Sequence, residues 1–463
     1  MTSRFDPLAP RRLIAAAEEL VSRDEAQRII ESAIKLSKAE SVEVNLSGGR
    51  QRNVRFAANQ MSTAGMVNDL TMVVSSSFGP KHAITTTNDL SPEGIDRAVR
   101  QSEALARLAP DDPETMPRLA QQNITPVTSA WDEETFALDA AAGSRAALTA
   151  LGPTRAKGNL QAAGFLQVDS GVNSLGNSAG LFQYHRGTKA NYTLTVRTAD
   201  GTGSGWAGAE EPRFSAIDFA SVSTSAIEKA ESSRNPVAVE PGRYTVILEP
   251  QAVGDLVSLV AFYADARAAD EGRSPFVKPG GGNKIGEKIM DERVTLYSDP
   301  HDPKILADPF DGEGFPLTRR NWIDKGVLQE MQYGRFWAKK QGKQPTGGAN
   351  NIVMGGGTMT RDQMIAGTQR GILVSRLWYL REVDPRTLLY TGLTRDGTFL
   401  IENGKITKAI KNMRFNESPL FMLNNLEALG PQVRVAGIEA GIPCVMPFLK
   451  ARDFNFTSLS DAV

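Results

Sequence analysis

The most constraining feature of this 463-residue chain is an order of elements that occurs twice in its first half. Two helical stretches, RRLIAAAEEL (11–20) and EAQRIIESAIKL (25–36), precede four strand-like segments: SVEVNL (41–46), QRNVRFA (51–57), LTMVVSSS (70–77) and KHAITTT (81–87). Gly48-Gly49 falls between the first two, where a hairpin needs residues free to take positive φ. A helix is expected over 91–109, with Ser91 as its N-cap, Pro92 at its first position and Ile95, Val99 and Leu105 on its apolar face. A connection at 109–130, rich in Pro, Asp and Gln, reads as exposed. The order then returns. A helix at 134–151 leads into strands at 160–168, 178–186, 190–198 and 203–209, and a helix at 215–233 closes the set. Helix, meander and helix, twice over, predict an α+β fold of mainly antiparallel sheets flanked by helices, with the N-terminal half an internal duplication.

Beyond this half, SSRNPVAVEPGRY (232–244) has two prolines, a glycine and no helical period, so it reads as a hinge. Two domains are expected, 1–235 and 236–463. In the second, RRNWIDKGVLQEMQY (319–333) predicts two strands around Asp324-Lys325-Gly326, and GTFLIENGKITKAI (397–410) a hairpin around Asn403-Gly404. SPLFMLNNLEALG (418–430) predicts a short helix opened by Ser418 and closed by Gly430. The glycine-rich stretches KPGGGNKIGEK (278–288) and NNIVMGGGTMTRDQM (350–364) lack the Gly-Lys-Ser/Thr of a phosphate loop and read as flexible loops.

Composition removes several function classes. A net charge of −1 gives no reason to expect nucleic acid or an anionic membrane as a partner. The apolar run Leu13 to Ala17 is too short for a signal-peptide core, and no stretch reaches transmembrane length. A single cysteine, Cys444, excludes an internal disulfide and fits a reducing, cytoplasmic location. The three histidines, His82, His185 and His301, lie far apart in sequence and read as isolated polar residues rather than zinc ligands.

One stretch is built like an active-site element yet carries little chemistry. VILEPQAVGDLVSLVAFYADARAADEG (246–272) starts as a strand and continues as a helix over 251–268, with Pro250 at its start. Val253, Leu256, Val257, Val260 and Tyr263 recur at helical spacing. SLVAFY within it offers a hydroxyl and a phenol but no strong acid, base or metal ligand.

The C-terminal half resembles the TldD/PmbA (TldD/TldE) family, once described as modulators of DNA gyrase. The stretches that carry this are VILEPQAVGDLV, DEGRSPF, DPFDGEGFPLTRRNWIDKGVLQEMQYGRFWAKKQG, PTGGANN, RGILVSRLWY and GTFLIENGKITKAIKNMRF. In the N-terminal half, DLSPEGIDRAVRQSEALAR matches best. The resemblance implies a cytoplasmic zinc metallopeptidase of two related subunits. The TldD-type subunit carries HExxxH on the helix after the strand and a cysteine near its C-terminus; the TldE/PmbA-type subunit lacks these ligands. On that pattern Ser258 takes the first histidine's place, Leu259 the glutamate's and Tyr263 the second histidine's. Leucine cannot accept a proton, so the general base is gone. Cys444 lies near the family cysteine but lacks its Cys-Gly-Lys continuation, and it reads as a core residue, a weak metal candidate. The resemblance therefore implies a non-catalytic chain with neither catalytic residue nor cofactor of its own. Its partner would be an HExxxH-bearing, zinc-holding subunit, and the substrate a peptide or unfolded protein. Two alternatives stay open. One is a self-sufficient hydrolase using Asp308, Asp311 and Glu313 of DPFDGEGF, which otherwise read as turn and capping residues; the other is a regulatory binding protein of the gyrase-modulator type.

Overall fold

The computed structural model describes residues 20–437 and 441–460. The helix expected at 11–20 lies outside the described residues, apart from its last position.

The two meanders share one six-stranded sheet. Its strands are β1 (Ser41–Ala57), β2 (Gln60–Phe78), β3 (Lys81–Thr87), β4 (Leu160–Asn177), β5 (Phe182–Thr198) and β6 (Ser204–Glu211), in the order β3-β2-β1-β4-β5-β6. The first strand of each meander pairs antiparallel with the other at the centre, from Glu43 opposite Asn177 to Phe56 opposite Gly164. Each half also brings matching helices. Arg23–Leu36 packs mainly on β1 and β4 and Ala140–Ala150 on β1 and β2, across the sheet centre, whereas Pro92–Leu108 packs on β2 and β3 and Phe219–Ser232 on β5 and β6. The caps of Pro92–Leu108 follow the sequence, since the Ser91 side chain accepts from the Gly94 N–H and Pro92 sits in the first turn.

Four boundaries differ from the sequence reading. The segments at 41–46 and 51–57 are one continuous strand, and Gly48-Gly49 lies in its middle, not in a hairpin. Both glycines have positive φ, and a Cβ on Gly49 would come within 2.1 Å of the Ser170 carbonyl oxygen. They permit close backbone approach between central strands rather than chain reversal. The helix at 134–151 is broken into Glu133–Ala137 and Ala140–Ala150, because Asp139 starts a new helix by accepting from the Ala142 N–H. Ser178 to Leu181 form the turn before β5 rather than its start, and the segments at 178–186 and 190–198 are one continuous strand, Phe182–Thr198.

The C-terminal half forms an eleven-stranded sheet. Five strands close on themselves: β7 (Gly242–Leu248), β12 (Arg370–Asp384), β13 (Leu389–Glu402), β15 (Met413–Glu417) and β17 (Cys444–Leu459). β17 pairs back onto β7. β16 (Leu426–Val435) and β11 (Ile352–Met354) flank the start of β17, and β8 (Leu296–Ser298), β9 (Arg320–Asp324) and β10 (Val327–Leu328) extend the sheet beyond β11. Pairing is mostly antiparallel; β7 with β12 and β11 with β17 run parallel. β14 (Lys405–Ala409) returns on β13 through Asn403-Gly404, and β9 on β10 through Lys325-Gly326, as expected. The helix at 419–424 stops at Asn424, well before Gly430, which lies within β16. The chain that follows the helix is taken into the ladder with β17 from Leu426 on, and this ends the helix early.

Gly49→Ala should test the close approach at the sheet centre. It adds a methyl into the Ser170 carbonyl at a φ of +150°. We expect a loss of about 2–4 kcal/mol in denaturant unfolding, against a few tenths for Gly312→Ala, which has no positive φ and nothing within 4 Å.

Candidate functional site

β7 delivers its chain into the helix Pro250–Phe262, which packs against β12, β16 and β17. Eleven of its thirteen residues are buried, so it has no broad solvent face, unlike the one-sided helix its spacing suggested. It is also shorter than 251–268. It ends at Phe262 with Tyr263 as C-cap, and Asp265 opens a separate short helix, Ala266–Asp270, by accepting from the Ala268 N–H.

Burial on all sides places the polar residues of the helix inside protein. Ser258 is 1% exposed and its hydroxyl has no hydrogen-bond partner of normal geometry. Cys444, the first residue of β17, is fully buried beside it, between Ile352 of β11 and Val435 of β16. Burial pushes the Cys444 thiol far up from its ordinary range, and the nearby Ser258 hydroxyl only partly opposes this. Asp255, one turn before Ser258, is 1% exposed and its charge acts on the same thiol. Sequence reasoning passed over Asp255, although an acid inside AVGDLVSLVAF was itself the signal.

Leu259 and Tyr263 point the other way, into a cleft of about 1090 Å³ that Ser258 also lines. Leu259 is half-buried and packs on the edge of the core. The Tyr263 hydroxyl lies 3.0 Å from that of Tyr390, and the two rings meet edge to face at 6.4 Å. Burial, with the charge of Glu382, pushes the Tyr390 phenol up to about 12. Arg267, Arg273 and Arg386 stand around the cleft, and Arg267 is held by Glu114 through two bonds of 2.7 Å. Phe262, 74% exposed, adds an apolar face at the helix end.

The structure thus brings Ser258, Leu259, Tyr263 and Cys444 to one wall. As a donor set they do not fit zinc. A catalytic zinc takes about three protein ligands from His, Cys and carboxylates, whereas this wall offers a hydroxyl, a hydrocarbon, a phenol bonded to another phenol, and a thiol that burial keeps protonated. Among the described residues no group of three or more His, Cys, Asp or Glu is placed to hold a metal ion.

The acidic turn separates instead of converging. Asp308 meets His185 at 3.3 Å and accepts from the Asn173 amide at 2.8 Å, so it links the C-terminal half to the six-stranded sheet. This departs from its reading as a turn residue. Asp311 does cap its turn, accepting from the Glu313 and Phe315 N–H groups at 2.9 Å each, while burial raises its carboxyl. Glu313 pairs with Arg335 at 2.7 Å. Burial lowers the His185 imidazole against the pull of Asp308. His82 and His301 sit beside Asp112 and Asp299 at 3.8 and 3.9 Å.

Comparison with known proteins places this geometry. Residues 241–458 match the family model of the PmbA/TldA metallopeptidase C-terminal domain, and residues 131–234 that of the central domain. The chain belongs to the PmbA/TldD family. It is 23% identical to metalloprotease PmbA of Escherichia coli O157:H7, over 92% of this chain and 97% of that one. With the PmbA homolog of Haemophilus influenzae the identity is 24%, over 90% and 93%. Among solved structures it resembles TldE from Thermococcus kodakarensis, with a TM-score of 0.80 at 19% identity over 93% of this chain and 99% of that one. It also resembles a Bacteroides thetaiotaomicron protein described as a candidate modulator of DNA gyrase, with a TM-score of 0.83 at 21% identity over 95% and 100%. No helix among the described residues is long and apolar enough to cross a membrane.

The thiol gives a direct check on this wall. Cys444 in the folded protein should react with a neutral disulfide reagent far more slowly than a free thiol, on the order of a hundredfold or more given its burial and raised pKa. One equivalent should react at once in denaturant. Fast native labelling would place Cys444 at an open, polar site.

Proposed function

We propose that this chain is the non-catalytic, TldE/PmbA-type member of a cytoplasmic two-subunit metallopeptidase system. An HExxxH-bearing TldD-like partner would supply both zinc and base. The observation that carries this is the wall formed by Ser258, Leu259, Tyr263 and Cys444. On the pattern the resemblance implies, this helix carries Ser258, Leu259 and Tyr263 where the catalytic subunit has HExxxH, it borders an open cleft, and the one remaining thiol, Cys444, is buried. The name of the Thermococcus kodakarensis relative, TldE, supports the same assignment. The cleft's apolar lining and arginine rim suit a peptide segment, and its role would be to bind or present substrate.

When bound in the partner, zinc would activate water for attack on a peptide bond. This chain's own residues would hold and orient substrate at the cleft: Leu259 and Phe262 by apolar contact, Tyr263 and Tyr390 by their joined hydroxyls, Arg386 by charge. A self-sufficient hydrolase has one observation in its favour, the Asp308–His185 pair. It predicts cleavage by the lone chain that is lost in Asp308→Asn.

Purified, metal-replete protein should carry no stoichiometric zinc by elemental analysis and cleave no unfolded peptide alone. Mixed with a TldD-type subunit, it should raise that subunit's cleavage rate. About one zinc per chain, with chelator-sensitive cleavage lost in Cys444→Ala, would overturn the reading. The reverse substitution tests the placement. Ser258→His, Leu259→Glu and Tyr263→His together restore two imidazole ligands and a base beside Cys444, so a folded triple variant should take up about one zinc. A triple variant with native circular dichroism and no zinc would show that these are not the family's metal positions.

A further inference from the structure

On the face of the six-stranded sheet that carries the helices, β1 places two arginines between two apolar stretches. Val42, Val44 and Leu46 belong to one buried cluster, Val54 and Phe56 to another. Arg50 and Arg52 lie between them, and both reach Phe136 in the short helix Glu133–Ala137. The Arg50 guanidinium stands 4.8 Å from the centre of the ring, and Arg52 Nη2 donates to the Phe136 carbonyl at 3.1 Å. Across the sheet Arg50 faces Asn68 and Ser170, and Arg52 faces Met66 and Val168, so no carboxylate stands opposite either. Arg50 Nε and Arg52 Nη1 are closed off from solvent and have no hydrogen-bond partner among the described residues. Burial, and after it the charge of Arg50, lower the Arg52 guanidinium from its ordinary range. Two neighbouring cations with unused N–H groups are costly to keep, and an anion between them would offset that cost.

Arg52 also lines a groove of about 260 Å³ that is otherwise mainly apolar. Val54, Leu138, Leu166 and Val168 form much of its lining, and Met66, 61% exposed, borders it toward solvent. The one acid among its lining residues, Asp139, caps the helix Ala140–Ala150 by accepting from the Ala142 N–H, and it lies 3.9 Å from Arg145. Gly143, inside that helix, lines the groove as well. Glycine weakens a helix interior, yet nothing in the backbone requires one here: a Cβ would only touch Leu166, at 3.8 Å. What the missing side chain does is leave the groove open.

We propose that this groove binds a small monocarboxylic acid with an unbranched apolar chain, its carboxylate on Arg52 and Arg50 and its chain along Val54, Leu166 and Val168. A carboxylate has two acceptor oxygens for the two unused N–H groups, and arginine holds such a group through paired, charge-assisted bonds. The lining beyond Arg52 offers the rest of the ligand hydrocarbon, where a peptide or a nucleotide would have to bury further polar groups without partners. The volume keeps the chain short, since it falls just below the range of about 300–1,000 Å³ usual for small-molecule sites. The site shares no lining residue with the cleft at Leu259 and does not depend on the partner-subunit reading above.

Titration calorimetry of the full chain with octanoate, octanol and octylamine tests this. Octanoate should bind at about one per chain, octanol at least tenfold more weakly and octylamine more weakly still. Arg52→Gln removes the head of the site and should lower octanoate affinity tenfold or more while leaving that for octanol unchanged. Gly143→Leu fills the groove and should abolish binding of both, with native circular dichroism retained. If either variant loses the native spectrum, the other variant and the octanoate-to-octanol ratio of the parent decide. The proposal fails if octanoate shows no saturable binding below the concentration at which it forms micelles, or if octanol binds as tightly. It fails equally if octanoate binding survives in a natively folded variant, since the acid would then sit elsewhere.

Discussion

A helix walled in by strands has to satisfy every side chain it carries inside the protein, and the C-terminal half is arranged around meeting that demand for residues 250–262. β7 feeds the helix, β12 and β17 grip β7 from both sides, and β16 lies over β17, so Val253, Leu256, Val257 and Val260 are removed from water together. At about 1.5–3 kcal/mol for each fully buried aliphatic side chain, this helix anchors the core that also holds Phe415, Phe454 and Phe456, whose rings meet at 5.1 and 5.5 Å. The same closure puts Cys444 and Ser258 side by side, since β17 begins where the middle of the helix crosses it. Their proximity follows from packing and needs no metal to explain it.

The six-stranded unit is tied to this core at charged points. Glu249, at the N-cap of the helix, meets Lys229 at 2.6 Å; Asp396, nearly buried in β13, meets the Ser204 hydroxyl at 2.6 Å and Arg376 at 3.4 Å; Glu210 faces Arg434 at 3.5 Å. Stripping one partner from such a buried pair costs about 3–5 kcal/mol, although an apolar replacement of the whole pair can be neutral. These links therefore fix orientation more than they add stability. One of them reaches the cleft. Arg267 at its rim is clamped by Glu114, from the connection between the two meanders, so the N-terminal unit helps set the shape of the opening.

Much of this was legible in the chain. The α+β class, the doubled meander, the hairpin at Asn403-Gly404 and the family all follow from spacing and wording. Boundaries failed where long-range pairing overrode a local cue. Gly48-Gly49 looks like a turn to its neighbours, yet two flanking strands hold it extended. Gly430 looks like a helix end, yet β17 recruits the chain before it arrives. The sequence singled out Ser258, Leu259, Tyr263 and Cys444 one by one, but not the shape they form. Nothing local to VSLVAFY says that Ser258 turns inward to Cys444 while Leu259, its neighbour, faces a cleft. That division appears only once the strands enclose the helix. Tyr390, which holds the Tyr263 hydroxyl, lies on β13, more than a hundred residues away, beyond the reach of any local pattern.

The state of Leu259 bears on the proposal that this wall holds a substrate without reacting with it. Filling a disused site with hydrocarbon should end in a packed core, because apolar surface left against water costs about 25 cal/mol per Å². Leu259 is not packed away. It is half-buried on the wall of an open cleft, with Phe262 exposed beyond it and two tyrosine hydroxyls joined at the margin. Only the inward half of the wall, Ser258 against Cys444, has closed to solvent. An apolar surface kept open in this way has a physical rationale when something covers it, and an extended peptide with apolar side chains would do so while its charges met the arginine rim. On the proposed reading, a leucine at the position of the catalytic subunit's base would change what the wall does to a substrate, from reacting with it to holding it.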